Sequence, residues 1–211
     1  MKISLQDFAY VKCQELIRTG ELTPGKLYSE VALSKQLNIS RTPIRGAIQR
    51  LEKEGLVTRL PQRGFQVNEF DLRDIEELFA MRKAIEGFAA ELLAATNKKF
   101  DPDLFNNHLM YQQKVCESEG LQQFQEEDRK FHEDLVKATD NQRLIELYGD
   151  LRLSIALFAR KRFQVSSQRS QSLEEHRQII RAIEDGDPDR ARKAIYQHID
   201  RVLELYHKHE I

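Results

Sequence analysis

The chain has 211 residues, 40% hydrophobic and 32% charged, with a formal net charge of −1; this suits one large or two small soluble domains, each able to bury a core. No apolar run approaches the ~18–20 residues of a membrane span, and the N-terminal stretch has one Lys and no apolar signal core, so no membrane partner and no export are expected. Cys13 and Cys116 form no C-x-x-C spacing, which argues against a disulfide scaffold or a thiolate zinc site and fits a reducing cytoplasm.

The near-zero net charge hides an asymmetry. Residues 1–66 carry 11 Lys and Arg against 6 Asp and Glu, and the remainder carries 22 against 28. A basic segment in an otherwise acidic chain is the electrostatic mark of a nucleic-acid partner; chance clustering on a small domain is the alternative.

Leu5 to Arg18 reads as an amphipathic helix on Phe8, Val11, Leu16 and Ile17, broken at Thr19-Gly20 and Thr23-Pro24-Gly25. Ser29 to Asn38 is a second helix and Ser40 to Glu54 a third, stopped by Gly55. Ser40 stands where a hydroxyl can cap the third helix, and Pro43 falls in its first turn, where a missing N–H does no harm. That helix opens with Ser40-Arg41-Thr42-Pro43 and then Arg45. Its free backbone N–H groups and positive dipole end favour phosphate. Two helices, a tight turn and a cation-rich second helix describe a helix-turn-helix that presents its leading residues to a DNA major groove. Leu56 to Leu60 and Phe65 to Val67 flank a turn at Pro61-Gln62-Arg63-Gly64. A hairpin directly after a helix-turn-helix is a wing, with Arg63 and Gly64 placed at its tip.

After a linker at Asn68 to Asp71, six helices are expected: Asp71 to Ala95, Asp101 to Ser118, Leu121 to Thr139, Asn141 to Phe163, Ser167 to Asp185 and Pro188 to Lys208. Connections this short favour antiparallel neighbours in a bundle. The fold class is therefore mainly α: a winged helix-turn-helix over residues 1–68 and an antiparallel all-α bundle of about six helices over residues 69–211.

Asp128 and His132 are four apart on one helical face, a spacing that lets both reach one cation. His176 and His198 lie on the fifth and sixth of these helices, and the four can converge in a bundle core. Oxygen plus imidazole donors suit zinc, nickel, manganese or iron. Spacing alone leaves open whether these histidines share a site or face solvent. His108, His207 and His209 have no comparably spaced partners and read as surface residues.

These residues resemble the GntR family of bacterial transcription regulators, within its FadR-like branch. The N-terminal likeness runs through Leu22-Thr23-Pro24-Gly25, Ser29-Glu30, Leu33, Ser40 to Arg45, Leu51 to Leu56 and Arg63 to Val67. The C-terminal likeness runs through Met81 to Glu86 with Ala89-Ala90, Asp128 to His132, and Glu175 to Ile180 through Gly186-Asp187 to His198. The resemblance implies that Asp128, His132, His176 and His198 bind a divalent metal, zinc first, at the floor of a ligand pocket. It also implies that Ser40, Arg41, Thr42, Arg45, Arg63 and Gly64 contact double-stranded operator DNA. Arg45 is the candidate for a guanine edge, with a phosphate contact as its alternative; Arg41 and the hydroxyls suit phosphates.

Two positions depart from many relatives: Val31 where they have Arg, and Gly46 where they have Glu. An interior helical Gly costs roughly 1 kcal/mol against Ala unless a close backbone approach to DNA compensates.

The expected protein is a cytoplasmic, homodimeric regulator, bound to the nucleoid when on DNA, that represses through its winged helix. Residues 69–211 would dimerise and sense a small carboxylate through the metal and Arg82, with Arg152 as a weaker second contact. Arg82 could instead pair with Glu86, four residues on, and Arg152 could point outward. A direct metal sensor is the alternative regulator. A metal-dependent hydrolase is the rival of another class, but its nearest acids, Glu127 and Glu133, sit one residue from the ligands and point off their face.

Overall fold

The computed structural model describes residues 4–96, 100–116, 118, 120–159 and 166–208, the side chains of 152, 153, 156–159, 166 and 167 excepted. It divides into two compact units, Met1–Asp71 and Leu72–Ile211.

The first unit runs α1 (Leu5–Thr19), β1 (Leu27–Tyr28), α2 (Glu30–Leu37), α3 (Arg41–Lys53), β2 (Val57–Leu60) and β3 (Gly64–Val67). Apolar residues at helical spacing give α3 one buried stripe, Ile44, Ala47, Ile48 and Leu51. It packs against Ala9, Cys13 and Ile17 of α1, all fully buried. Tyr10 donates its hydroxyl to Glu54 at 2.7 Å, and the Arg50 guanidinium lies 3.8 Å over the Tyr10 ring, which ties α1 to the end of α3. Burial pushes the Cys13 thiol up to about 12.

The three strands form an antiparallel sheet in the order β1-β3-β2, with Tyr28 opposite Phe65 and Leu60 opposite Gly64. The strand β1 adds a third member to the expected two-stranded wing. Arg63 N–H donates to Leu60 C=O at 3.0 Å, and Gln62 between them has φ 62°. Pro followed by a positive φ is the pattern of a type II turn. The apex is therefore Pro61-Gln62; Arg63 closes the turn and Gly64 opens β3. At Gly64 (φ 118°) a Cβ would collide with the carbonyl oxygen of Tyr28, so only glycine lets β1 and β3 approach this closely.

Among the described residues the second unit has six helices: α4 (Leu72–Thr96), α5 (Pro102–Cys116), α6 (Leu121–Ala138), α7 (Gln142–Ala159), α8 (Ser166–Glu184) and α9 (Pro188–Lys208). The helix α8 begins at Ser166, one residue before the start expected from sequence. Phe79, Phe105, Phe131, Leu135, Ile179, Ile183, Ile195 and Ile199 make one continuous core. The long helices α4 and α9 lie side by side, and the Tyr196 ring packs where a Cβ at Gly87 would stand. Among the described residues no helix is long and apolar enough to cross a membrane.

Candidate nucleic-acid interface and candidate metal centre

The first site is built where α2 meets α3. Ser29 caps α2, its Oγ accepting from Val31 N–H at 3.2 Å and Ala32 N–H at 3.5 Å. The helix stops at Asn38 in the left-handed conformation, and Ile39 buries itself in the turn. Ser40 occupies the cap position of α3 with extended backbone, yet its side chain makes no capping hydrogen bond. The hydroxyl expected to satisfy the helix start is thus exposed, beside Arg41 and Thr42. Arg45 follows one turn on, its side chain 67% exposed and its Nε 4.0 Å from Glu30 Oε2.

A groove of about 470 Å³ between α2, α3 and the wing is lined by Arg41, Arg45, Arg59 and Arg63 together with Glu30 and Glu52. Arg59 was not singled out from sequence. Its backbone N–H and Nε both donate to Glu52, at 3.1 and 2.8 Å. Val31 lines the same groove, exposed. At Gly46 a Cβ would meet Gln6 Cδ at 2.7 Å; the close neighbour that makes glycine fit there is α1.

The second site lies inside the helical unit. Asp128 and His132 on α6, His176 on α8 and His198 on α9 are all buried, and one ligand atom from each lies within 4.8 Å of the others. The ring centroids of His132 and His176 are 5.1 Å apart, those of His176 and His198 4.8 Å. His176 stacks on Phe131 at 4.1 Å.

Each ring has a partner from another helix beside its Nδ1. His132 Nδ1 lies 2.8 Å from Glu86 Oε2 on α4, at ion-pair distance but without hydrogen-bond geometry. His176 Nδ1 is 2.8 Å from Gln112 Oε1 on α5, and His198 Nδ1 is 2.7 Å from Glu175 Oε2 on α8. At His176 and His198 the acceptor at Nδ1 selects the Nδ1–H tautomer and leaves the Nε2 lone pair as donor, the usual arrangement around a metal-bound imidazole. His132 Nε2 is buried without a hydrogen-bond partner, as is the amide nitrogen of Gln112, and His176 Nε2 is 3.6 Å from Asp128 Oδ1. Buried polar atoms of this kind are costly unless a guest satisfies them. The donor set of three imidazoles and a carboxylate therefore fits a divalent cation.

Arg82 is 1% exposed and Glu86 0%. Arg82 Nε donates to Glu86 Oε1 at 2.7 Å and Nη2 to Oε2 at 3.4 Å, so the guanidinium is engaged in the helical pair. Burial opposes the charged form of Glu86, but the Arg82 guanidinium and the His132 ring outweigh it and hold its carboxyl down at about 2. Burial and the Glu86 charge push the Tyr148 hydroxyl well above its ordinary range. The Arg152 side chain lies outside the described residues.

His108, read from sequence as a surface residue, is buried: Nδ1 lies 2.5 Å from Glu127 Oε1 and Nε2 3.2 Å from Asp134 Oδ2. Its partners on α6 are 19 and 26 residues away, beyond any spacing rule within one helix. His207 is exposed, and His209 lies outside the described residues. Glu127 turns to His108 and Glu133 to Arg129 and Lys137, off the face that carries Asp128 and His132.

A winged helix-turn-helix followed by an all-helical unit is the architecture of a DNA-binding regulator. Residues 5–67 match the bacterial regulatory proteins of the gntR family, and residues 77–201 match the FCD domain. The chain belongs to the GntR family of bacterial transcription regulators, with an FCD domain as its C-terminal half. It is 28% identical over 183 residues to the HTH-type transcriptional repressor RspR of Escherichia coli (strain K12), covering 87% of this chain and 80% of that protein. It is 27% identical to the Nta operon transcriptional regulator of Aminobacter aminovorans, covering 86% and 87%. Among solved structures, McbR/YncC of E. coli shares the fold over 100% of both chains, with a TM-score of 0.86 at 19% identity.

Proposed function

We propose that this regulator is a homodimeric repressor whose helical unit holds a divalent cation on Asp128, His132, His176 and His198 and, through it, senses a small carboxylate. The observation that carries the reading is the convergence of four buried donors, with His176 and His198 hydrogen-bonded at Nδ1 and His132 facing the Glu86 carboxylate there. A bound cation would supply a Lewis-acidic centre for anionic oxygen. Charge favours the same guest. Asp128 offsets only half of a divalent ion, and Glu86 is already answered by Arg82, so the loaded centre stays positive. The partnerless amide of Gln112, beside His176, is a further donor suited to an anion. Zinc is the first choice of metal for this donor set, with nickel, manganese and iron behind it.

At the other end, exposed Ser40, Arg41, Thr42 and Arg45 would enter the major groove, Arg45 reading a base edge. Arg63 would hold the flanking backbone from the wing. Gly64 would contribute by its backbone alone, since its lack of a side chain serves the strand pairing. Two such units in a two-fold dimer would read half-sites about one or more helical turns apart.

The test is selection of a duplex site from a random pool, followed by titration with zinc alone and then with a panel of small carboxylates at saturating zinc. Release of the selected duplex by one class of carboxylate is the expected outcome. Release by zinc alone would replace this reading with a direct metal sensor, and absence of any preferred duplex would overturn it.

A further inference from the structure

Two of the three histidines face, at Nδ1, a carboxylate that is itself gripped by an arginine, His198 through a hydrogen bond and His132 at ion-pair distance. Arg201 on α9 donates through Nη2 to Glu175 Oε2 at 2.7 Å and through Nε to the other oxygen of the same carboxylate. The same Nη2 also reaches Ser172 Oγ at 2.8 Å. Glu175 Oε2 in turn holds His198 Nδ1. On the opposite side Arg82 grips both oxygens of Glu86, and Glu86 Oε2 faces His132 Nδ1. The first triad joins α8 and α9, the second α4 and α6, so one arrangement is assembled twice from different helices. His176 is the contrast: its Nδ1 meets the neutral amide of Gln112.

We propose that Arg201 and Arg82 are positioning residues for the metal centre, each clamping a carboxylate set against the Nδ1 of one histidine ring, so that Nε2 is the metal donor. The inference rests on the metal-centre reading above. Its physical basis is that a carboxylate taken from water is costly unless a cation answers it, and that a forked guanidinium fixes the plane of the carboxylate as well as its charge. A clamped carboxylate can only accept, so the ring must present Nδ1–H to it. Gln112 carries no charge to answer, which is why its histidine needs no arginine.

Arg201 is the position to test, because its side chain is 16% exposed and its loss leaves a less deeply buried carboxylate than loss of Arg82. The probe is Zn²⁺, its affinity read by competition with a chromogenic chelator. Arg201→Met and Glu175→Ala should weaken zinc binding about 10–100-fold, and Arg201→Lys should restore part of that loss. Arg192→Met, also on α9, which breaks ion pairs to Glu91 of α4 and Asp189 of α9, should leave zinc affinity unchanged. Long-range ¹H–¹⁵N spectra of the imidazoles in metal-free protein give the second readout. His198 should pass from a single Nδ1–H tautomer to a mixture in Arg201→Met, while His176 keeps its tautomer. Arg201→Met with wild-type zinc affinity and an unchanged His198 tautomer would overturn the clamp. A wild type that takes up no zinc would overturn the metal centre itself, and the metal-free ring spectra would still decide the clamp.

Discussion

In the N-terminal unit the cations proposed to contact DNA stand in water: Arg41, Arg45 and Arg63 are exposed, and Arg45 Nε lies 4.0 Å from Glu30. In the C-terminal unit every proposed ligand is buried, and each imidazole answers to a named partner within 2.8 Å. Exposed charges act nearly independently and are screened by salt. Buried ones form networks in which removing one member strands the next. The two sites should therefore respond to mutation in different ways.

The largest effect belongs to the buried pair. Arg82→Ala leaves Glu86 buried and unanswered, and should cost about 3–5 kcal/mol in urea unfolding. Arg82→Met combined with Glu86→Leu should cost less than the single change, a non-additivity that exposed positions would not show. The same pair sets an acid limit. Because the folded-state carboxyl of Glu86 is held below its ordinary value of 4.5, its contribution is complete above about pH 4.5 and is lost as pH falls toward 2. Glu86→Gln should therefore show a shallower loss of stability over that range; an identical acid profile would contradict the assignment.

Metal linkage should be next in size. At a free zinc concentration one hundred times its Kd, wild type should gain about 2.7 kcal/mol of stability, seen as a rise in Tm, and His176→Ala should lose most of that gain. On the DNA side, Arg45→Ala should reduce discrimination between duplex sites by about 1–3 kcal/mol. Arg63→Ala should weaken all sites alike and lower the salt slope by about one. Binding assays at several salt concentrations check both, and their effects should add. The smallest effect is at Gly46. Gly46→Ala combined with Gln6→Ala should stabilise by up to about 1 kcal/mol, whereas Gly46→Ala alone gains less because Gln6 must move.

The same contrast explains what could be read in the sequence. Helical periodicity and Gly, Pro and Ser punctuation locate the helices with ends that mostly fall within a residue or two of the structure, because those signals are local. The helix-turn-helix and wing are legible for the same reason. The strand β1 is not, since Leu27-Tyr28 is too short to show alternation and exists through its pairing with Gln66 and Phe65. Among the metal-type residues, only Asp128 and His132 are related by spacing within one helix; His176 and His198 join them through the packing of α6, α8 and α9. The holding residues are still less visible. Gln112 is 64 positions from His176, and Glu175, adjacent to His176 in sequence, serves His198 on the next helix. His108 reads as a surface residue in the sequence on the same ground, its carboxylates lying on α6.

X-ray absorption fine structure of the zinc-loaded protein tests the central claim most directly. Three imidazole nitrogens at about 2.0–2.1 Å with oxygen completing the shell is the expected spectrum. A sulfur scatterer, or fewer than two imidazoles, would contradict a centre built from Asp128, His132, His176 and His198.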